Sequence, residues 1–379
     1  MHAIKILCLK AAVLALNCIY GVFKLLPLKD KVVFVSRQGD TPSVDYIMIK
    51  EEIHKQSPDT EVVMLTKKLE KSIGGLISYC FHIIAQLFHF AQARTVITDS
   101  YCLGISLVNH KSRTRIIQIW HAIGCMKKFG YAMIGQEEGS DEDIARVMKM
   151  HKNYDYALIS SYSFINDYLE GFRIDKEKIL QIPLPKADLL SDKEHIAKQR
   201  ENLLKKYPEL KGKKNILYCP TFRKGGTDRD GILKLISLVD FEKYNFIYKP
   251  HPLSEVKIDD ENIFCCSEST MEMLPVCDYV ISDYSSVIYE AGLVGVPVFL
   301  YAHDWQTYSK KRSFNLDLQK DVPTIFSDNP ERIMEAIYNN EFDFEKFEIF
   351  IKKNVVIPSG GCTKAIVDLV LREEWRENR

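Results

Sequence analysis

The segment Asp278–Pro297, DYVISDYSSVIYEAGLVGVP, determines the fold class, because a strand, a helix and the start of a second strand follow one another within it. The predicted strands are Tyr279–Asp283 and Pro297–Tyr301. Both are short and apolar, which is typical of strands buried on both faces of a parallel sheet. A strand–helix–strand unit of this kind forms a right-handed crossover, so we expect an α/β fold.

The same alternation extends through most of the chain in two series, separated by the polar stretch 191–214. With 379 residues the chain is too long for one compact core. We therefore expect two doubly wound domains facing each other across a cleft lined by the carboxyl ends of the strands. The predicted strands are Lys31–Arg37, Glu61–Lys67, Thr95–Ser100, Arg115–His121, Asp155–Ser161 and Ile179–Pro183, then Asn215–Cys219, Asn245–Lys249, Asn262–Cys266, Tyr279–Asp283 and Pro297–Tyr301. The predicted divisions are an N-terminal helix over 1–28, a first domain over 29–190 and a second over 191–379.

Composition excludes several classes of protein. Lys+Arg and Asp+Glu are equal at 51 each, so nothing favours binding to nucleic acid. The ten cysteines form no CxxC pair, which indicates reduced cytosolic thiols. No GxGxxG fingerprint follows a strand, and neither a Walker A loop nor an HExxH motif is present. The sequence therefore predicts no resident metal or cofactor, and it does not indicate whether Mg²⁺ assists.

The N-terminal segment predicts a helix that lies on a membrane surface. Its uncharged run, Ala11–Phe23, has 13 residues, fewer than the roughly 20 that a spanning helix needs. Lys10, Asn17 and Lys24 are seven residues apart and share one narrow polar face. A signal peptide and an ordinary core helix are the alternatives, although no A-x-A-like cleavage site follows.

A second apolar helix is predicted over Ile73–Ala93, which carries no charge over 21 residues. Its polar residues Ser78, His82, Gln86 and His89 form one stripe. We expect a buried crossover helix that turns this stripe toward water. A membrane-facing surface is the alternative.

Candidate catalytic residues follow the predicted strands. His121 lies at the end of Arg115–His121, before Ala122-Ile123-Gly124, where a general base would be well placed. A histidine packed in the wall between the domains explains the position equally well. In the second series, His251 lies between Pro250 and Pro252, which present it rigidly.

Candidate phosphate-binding residues are concentrated in the second series. Helix amino ends bind phosphate through free N–H groups, and a helix is predicted to begin directly after Ser285 and Ser286. Simple capping of that helix is the alternative for both serines, and Glu290 is either a ribose ligand or a solvated residue. The remaining hydroxyl, cationic and acidic candidates after strands are Thr221, Arg223, Lys249 and Asp283.

The motifs QIWHAIGCMKKFG, YCPTFRKGG, YKPHP, SDYSSVIYEAGLVGVP and SGGCTKAIVDLV, in this order, resemble the CDP-glycerol glycerophosphotransferase family of wall teichoic acid synthesis. The resemblance runs from about Val33 to the C-terminus and is greatest to the priming enzymes. It implies the GT-B fold, with two facing Rossmann-like domains. It further implies transfer of glycerol phosphate from CDP-glycerol to an undecaprenyl-diphosphate-linked GlcNAc–ManNAc acceptor, with release of CMP at the cytoplasmic face of the membrane.

The resemblance also implies roles for individual residues. His121 would accept the proton of the acceptor hydroxyl, and His251 would hydrogen-bond the transferred phosphoryl group. Lys186 stands where the family usually has arginine and can still neutralise a phosphate. A chain-extending glycerol or ribitol phosphate transferase, a sugar-nucleotide glycosyltransferase or epimerase, and an inactive nucleotide-binding subunit are the competing functions. The sequence does not determine the oligomeric state.

Overall fold

The computed structural model describes residues 2–70, 72–223, 229–251, 254, 256 and 258–372. Within them lie two parallel six-stranded sheets with helices connecting the strands. This arrangement confirms the predicted α/β class. The described residues group into two compact units, the first drawn from Met1–Ala122, Lys128–Lys186 and Val356–Arg379, and the second from Ile123–Lys127 and Ala187–Val355.

The sheet of the first unit has the strand order β2-β1-β3-β4-β5-β6. Three of its four inner strands, β1, β3 and β4, are buried along their whole length, as expected for strands covered on both faces. The strands are β1 Lys31–Ser36, β2 Glu61–Thr66, β3 Thr95–Thr98, β4 Arg115–Gln118, β5 Tyr156–Ile159 and β6 Ile179–Gln181. The helices are α1 His2–Phe23, α2 Val44–Gln56, α3 Ile73–Phe90, α4 Leu103–Ser106, α5 Glu142–Val147, α6 Ile165–Phe172 and, near the C-terminus, α15 Cys362–Leu371.

The sheet of the second unit has the order β12-β11-β10-β7-β8-β9. Apolar side chains of β7, β8, β10 and β11 form a core with those of two helices, α9 and α13. The strands are β7 Lys214–Tyr218, β8 Tyr244–Tyr248, β9 Ile263–Phe264, β10 Tyr279–Ser282, β11 Val298–Tyr301 and β12 Phe326–Ser327. The helices are α7 Lys186–Ser191, α8 Lys193–Lys206, α9 Arg229–Ile236, α10 Thr270–Met273, α11 Val287–Val294, α12 Trp305–Lys311, α13 Pro330–Tyr338 and α14 Phe344–Asn354.

The C-terminal segment differs from its predicted place in the second domain. From Val356 onward it belongs to the first unit. Arg115, at the start of β4, donates hydrogen bonds to the carbonyls of Val370 (3.4 Å) and Arg372 (3.1 Å). These contacts join positions more than 250 residues apart, which no local pattern in the sequence could indicate.

Helix α1 turns part of its polar face toward the protein. Asn17 donates to the Leu107 carbonyl (2.9 Å) and Lys24 to the Asn109 carbonyl (3.1 Å), while Tyr20 is buried. Two of the three residues of the predicted narrow polar face, Asn17 and Lys24, therefore bind the first unit. The apolar side chains Ile4, Leu7, Leu14 and Val22 are each at least 66% exposed.

The expected orientation of α3 is wrong. Three of the four stripe residues turn inward, with Gln86 buried and His82 and His89 half-buried, while Ser78 remains exposed. Burial of the two histidines lowers their pKa values. The outer face is apolar, and its large side chains Ile73, Leu76, Ile77, Phe81, Ile84 and Phe88 are all exposed. By length and composition alone, α1 and α3 are the two described helices able to cross a membrane.

Candidate active site

His121 follows a strained turn at the carboxyl end of β4. Trp120 has φ +63°, a left-handed conformation that costs a bulky residue free energy and that often marks functional sites. The turn is held by Gln118, whose buried amide accepts a hydrogen bond from the Trp120 N–H (2.9 Å). The indole in turn lies 4.4 Å from the His121 ring. The local fold therefore fixes the position of the imidazole.

The hydrogen bond of His121 determines its tautomer. Its Nδ1 lies 2.9 Å from the backbone carbonyl oxygen of Asp99, which only accepts, and 3.4 Å from the side-chain amide nitrogen of Gln38. The shorter contact favours the proton on Nδ1. The Nε2 atom of the neutral ring is then the basic one. Desolvation of the ring by the surrounding protein lowers the pKa of His121, and the positive charges of Lys186 and Arg37 act in the same direction. His121 is nevertheless exposed to solvent, so it can act as a base at neutral pH.

Lys186 lies in the first unit, close enough to His121 for its charge to act on the imidazole. Its backbone N–H donates to the buried Asp45 carboxylate (2.8 Å), and its ammonium group lies 3.9 Å from the same carboxylate. Since its charge lowers the His121 pKa, the structure associates Lys186 with the candidate base.

A buried acid lies beneath this site. Asp99 follows β3 and is 4% exposed. Burial raises the pKa of its carboxyl group to about 6, although the nearby side chains of Ser36 and Ser100 oppose the shift. Around neutral pH the fold therefore keeps a carboxylate where water solvates it poorly, which is common at functional sites.

In the second unit, Thr221, Arg223 and Asp283 form one hydrogen-bonded cluster after β7 and β10. The Asp283 carboxylate accepts from the Thr221 N–H (3.0 Å) and hydroxyl (2.6 Å), and it pairs with the Arg223 guanidinium. Arg223 also binds Asp304 through two hydrogen bonds of 3.0 and 2.8 Å. The structure thus brings together residues from two separate motifs, Thr221 and Arg223 from YCPTFRKGG and Asp283 from SDYSSVIYEAGLVGVP.

Arg223 is enclosed on its remaining sides by aromatic rings. The guanidinium carbon lies 5.2 Å from the ring centres of both Tyr284 and Tyr308, which stack on each other at 4.2 Å. Burial alone would raise the pKa of Asp304, but Arg223 holds it below its ordinary value. Arg223 is therefore a buried cation whose bonds to Asp283 and Asp304 hold together the segments that follow β7, β10 and β11.

The amino end of α11 carries Ser285 and Ser286, and simple capping does not account for both. Ser286 is the N-cap residue, yet its side chain makes no capping hydrogen bond. Ser285 Oγ accepts only a long bond of 3.4 Å from the Val287 N–H. Both serines and Glu290 are half-buried on this helix. An N-cap hydroxyl that leaves the helix uncapped is able to contact a ligand.

Lys249 and His251 follow β8 as predicted. The Lys249 ammonium group donates to the Cys266 carbonyl (2.8 Å). The His251 ring lies 5.6 Å from the ring of Phe222, in the loop that carries Thr221 and Arg223. The predicted glycine-rich residues 224–226 of that loop lie outside the described residues.

The WHAIG motif requires glycine at position 124 because of its backbone conformation and the close approach of a neighbouring ring. Gly124 has φ +72°, and a Cβ atom there would lie 2.2 Å from the buried ring of Tyr289 on α11. Nearby, Lys127 donates to the Tyr308 hydroxyl (2.9 Å). The motif is therefore divided, with His121 in the first unit and residues 123–127 in the second.

Sequence reasoning missed several residues of these two sites. Arg37, Asp99 and Asp304 each follow a strand, so the rule that found His121 could have found them as well. Asp45 lies in the first turn of α2 and carries no comparable signal.

The two parallel sheets with their connecting helices define an α/β protein of two doubly wound units. The model of the CDP-glycerol:poly(glycerophosphate) glycerophosphotransferase family matches residues 19–372, and the chain belongs to that family. The predicted resemblance is confirmed.

Similar proteins act in teichoic acid synthesis. The chain is 31% identical to the teichoic acid ribitol-phosphate primase of Bacillus spizizenii, over 91% of this chain and 92% of that protein. It is 28% identical to the teichoic acid glycerol-phosphate primase of Bacillus subtilis, over 76% of each. The structure of the wall teichoic acid polymerase TagF matches with a TM-score of 0.76 at 19% identity, covering 99% of this chain and 98% of that one. The chain therefore belongs to the family of teichoic acid phosphotransferases, which includes primases and polymerases.

Proposed function

We propose that the chain primes teichoic acid synthesis, transferring one glycerol phosphate unit from CDP-glycerol to a hydroxyl of a lipid-linked disaccharide. The observation that carries the proposal is His121, held as a neutral base with Nε2 unprotonated at the end of β4. Ribitol phosphate is the second candidate, because a ribitol-phosphate primase is the relative at 31% identity over almost the full length of both proteins.

In the proposed reaction the acceptor oxygen attacks the β-phosphorus of the donor in line. The bond between this phosphorus and the bridging oxygen breaks, and CMP leaves with the electron pair. His121 Nε2 takes the proton of the acceptor hydroxyl. Phosphoryl transfer depends mainly on positioning and electrostatics, which fixed cations and hydroxyl groups supply.

The donor side of this reaction belongs to the second unit. Ser285, Ser286 and Thr221 would hold the pyrophosphate, and Lys249 would offset its charge. His251 would hydrogen-bond the transferred phosphoryl group, and Glu290 would bind the ribose. Arg223 and Asp283 would orient this set, because both are buried and bound to each other. Lys186 would act on the acceptor side, close to His121.

The acceptor is lipid-linked, and we assign the enzyme to the cytoplasmic membrane surface as a peripheral protein. Support comes from α1 and α3, which pack together through Phe23 and Phe88 (5.7 Å) and expose apolar side chains. Asn17 of α1 hydrogen-bonds to the protein and Gln86 of α3 is buried, whereas Lys5 and Lys10 remain exposed among the apolar side chains, where they can meet anionic headgroups. An exposed apolar surface of this kind is typical of a membrane contact.

Incubation of the full-length enzyme with CDP-glycerol or CDP-ribitol and a lipid-disaccharide analogue tests the proposal. Mass spectrometry should detect CMP together with acceptor carrying a single phosphoalcohol unit. A ladder of products would show chain extension, and activity with CDP-ribitol alone would identify the second candidate. Release of a nucleoside diphosphate would show sugar transfer, and no product with either donor would reject the proposal.

A further inference from the structure

A cationic cavity lies at the amino edge of the first sheet, away from His121. Its volume is about 300 Å³. Strand β4 begins beside the cavity at Arg115 and ends at Gln118, and His121 follows its opposite end. The proposed reaction does not use this cavity. Its charged lining, within the described part of the chain, consists of Lys29, Arg94, Arg113, Arg115, Arg372 and one acid, Asp30.

The single acid does not balance these cations. Asp30 pairs with Arg94 at 2.9 Å, and its other carboxylate oxygen accepts from the Thr60 hydroxyl (3.1 Å). Arg115 is 3% exposed and donates to main-chain carbonyls, which carry no net charge. Burial, together with the like charges of Arg94 and Arg372, lowers the pKa of Arg115 to about 10, although Tyr156 and Asp155 oppose the shift. The cavity therefore concentrates positive charge that an anion would stabilise.

Guanidinium groups determine the kind of anion. Their planar, forked donors match the paired oxygens of phosphate and hold it bidentately. Arg113 and Arg372 are exposed at the rim, where they can reach a ligand, whereas Arg115 is fixed at the base. This combination of a rigid buried cation with accessible ones suits a phosphate group.

The position of the cavity indicates where such a phosphate would come from. Helix α1 leads into Leu28 and Lys29, which line the cavity, and Arg94 follows shortly after the end of α3. The Lys29 N–H donates to the Gln92 carbonyl (2.9 Å), which ties the two connections together. Helices α1 and α3, which expose apolar side chains, therefore end close to the cations of the cavity. In a phospholipid, the apolar acyl chains likewise lie next to a charged headgroup.

We infer that this cavity binds the phosphate group of an anionic ligand, and that its place beside α1 and α3 favours a phospholipid headgroup over a soluble phosphate. The site would add a specific lipid contact to the general apolar attachment. It is independent of the proposed reaction, because it lies at the other end of β4 from His121.

The test is calorimetry on the full-length enzyme with three probes: short-chain phosphatidylglycerol, short-chain phosphatidylcholine and pyrophosphate. The variant R113Q/R372Q removes the two exposed cations and leaves the buried Arg115 in place. The control K205Q/K352Q removes the same charge from exposed sites, whose side chains are 68% and 72% exposed. Thermal unfolding of all three proteins shows whether each remains folded.

We expect saturable binding of phosphatidylglycerol that weakens at least about tenfold in R113Q/R372Q and is unchanged in the control. Binding of pyrophosphate alone, lost in the same variant, would support the phosphate site and overturn the lipid source. Absence of binding by both anionic probes, equal loss in the control, or equal binding of phosphatidylcholine would overturn the inference. No titration requires turnover, so failure here would leave the proposed function untouched.

Discussion

The Nδ1 atom of His121 donates a hydrogen bond to the backbone carbonyl of Asp99 across 2.9 Å, which leaves Nε2 as the basic atom of the ring. The contact joins the ends of two neighbouring strands, β3 and β4, so the sheet itself sets the tautomer. A main-chain acceptor cannot be lost by substitution at position 99. The tautomer should therefore survive changes in the Asp99 side chain.

The first prediction concerns His121 as general base. His121→Ala should lower turnover by at least about 10²-fold, while the affinity for the CDP-linked donor is retained. Because the pKa of His121 lies below 6.5, wild-type kcat/KM should fall only as the pH drops below that value and the base becomes protonated. Steady-state kinetics from pH 5 to 8, with donor titrations, measure both effects. Near-normal turnover in the purified variant would remove His121 from this role.

The second prediction concerns Asp99 and stability. Its pKa of about 6 exceeds the unfolded value near 4, so the native state holds the proton more tightly. The free energy of unfolding should therefore fall as the pH rises from about 4 to about 6, and it should stay lower at higher pH because the buried carboxylate remains charged. Asp99→Asn should raise the free energy of unfolding at pH 8 by about 2 to 3 kcal/mol and have little effect at pH 4.

Denaturant unfolding of wild type and Asp99→Asn at both pH values measures this difference. A gain that is equal at pH 4 and pH 8 would mean that the charge of Asp99 is not its cause. The variant also serves as the control for the first prediction, because the activity profile should keep its acid limb once Asp99 can no longer titrate.

The third prediction concerns the donor site at α11. Ser286→Ala should weaken donor binding by roughly ten- to hundredfold, the cost of one hydrogen bond to a charged group. Stability should barely change, because the Ser286 side chain makes no capping bond. His251→Ala should reduce turnover as well. Unchanged affinity and rate in both variants would reject the site.

Ser269→Ala is the matched control for this prediction. Ser269 caps α10 in a capping box with Glu272, so its loss should cost about 1 kcal/mol of stability. Donor affinity should be unaffected. The two serines thus separate ligand binding from helix capping within one unit.

The fourth prediction concerns the Arg223 cluster. Arg223→Met leaves the carboxylates of Asp283 and Asp304 without their cation and should cost about 3–5 kcal/mol. Lys206→Met, which breaks an exposed pair with Glu268, should cost far less because water screens that pair. Equal destabilisation of the two variants in urea would contradict the buried role of Arg223. In wild type, the contribution of Asp304 should be lost in acid, since its pKa is depressed.

The fifth prediction concerns the membrane surface. Deletion of residues 2–14 removes Lys5, Lys10 and exposed apolar side chains but keeps Asn17 and Tyr20, which bind the first unit. The shortened enzyme should bind anionic vesicles more weakly, by about 1 kcal/mol per lysine lost, and the effect should diminish with salt. Its activity should fall on a long-chain acceptor and remain on a soluble short-chain one.

Helix α3 offers an independent variant for the same prediction. Ile77 and Phe81 are 55% and 69% exposed, so I77S/F81S should reduce vesicle binding without loss of thermal stability. Leu233→Ser, at an exposed position of the second unit, is the control. If both changes leave vesicle binding and the ratio of the two activities intact, the membrane contact lies elsewhere.

The sequence by itself determined the α/β class and the family, because buried parallel strands are short apolar runs that can be recognised one at a time. It located His121, Thr221, Arg223 and Asp283 for the same reason, since each follows such a strand. Only the tertiary structure showed that Arg223 is enclosed by Asp304 and two tyrosines, and that the C-terminal segment returns to the first unit. Only the tertiary structure decided the orientation of α3. A helical stripe has the same periodicity whether it faces inward or outward, and packing against the rest of the chain chooses between the two.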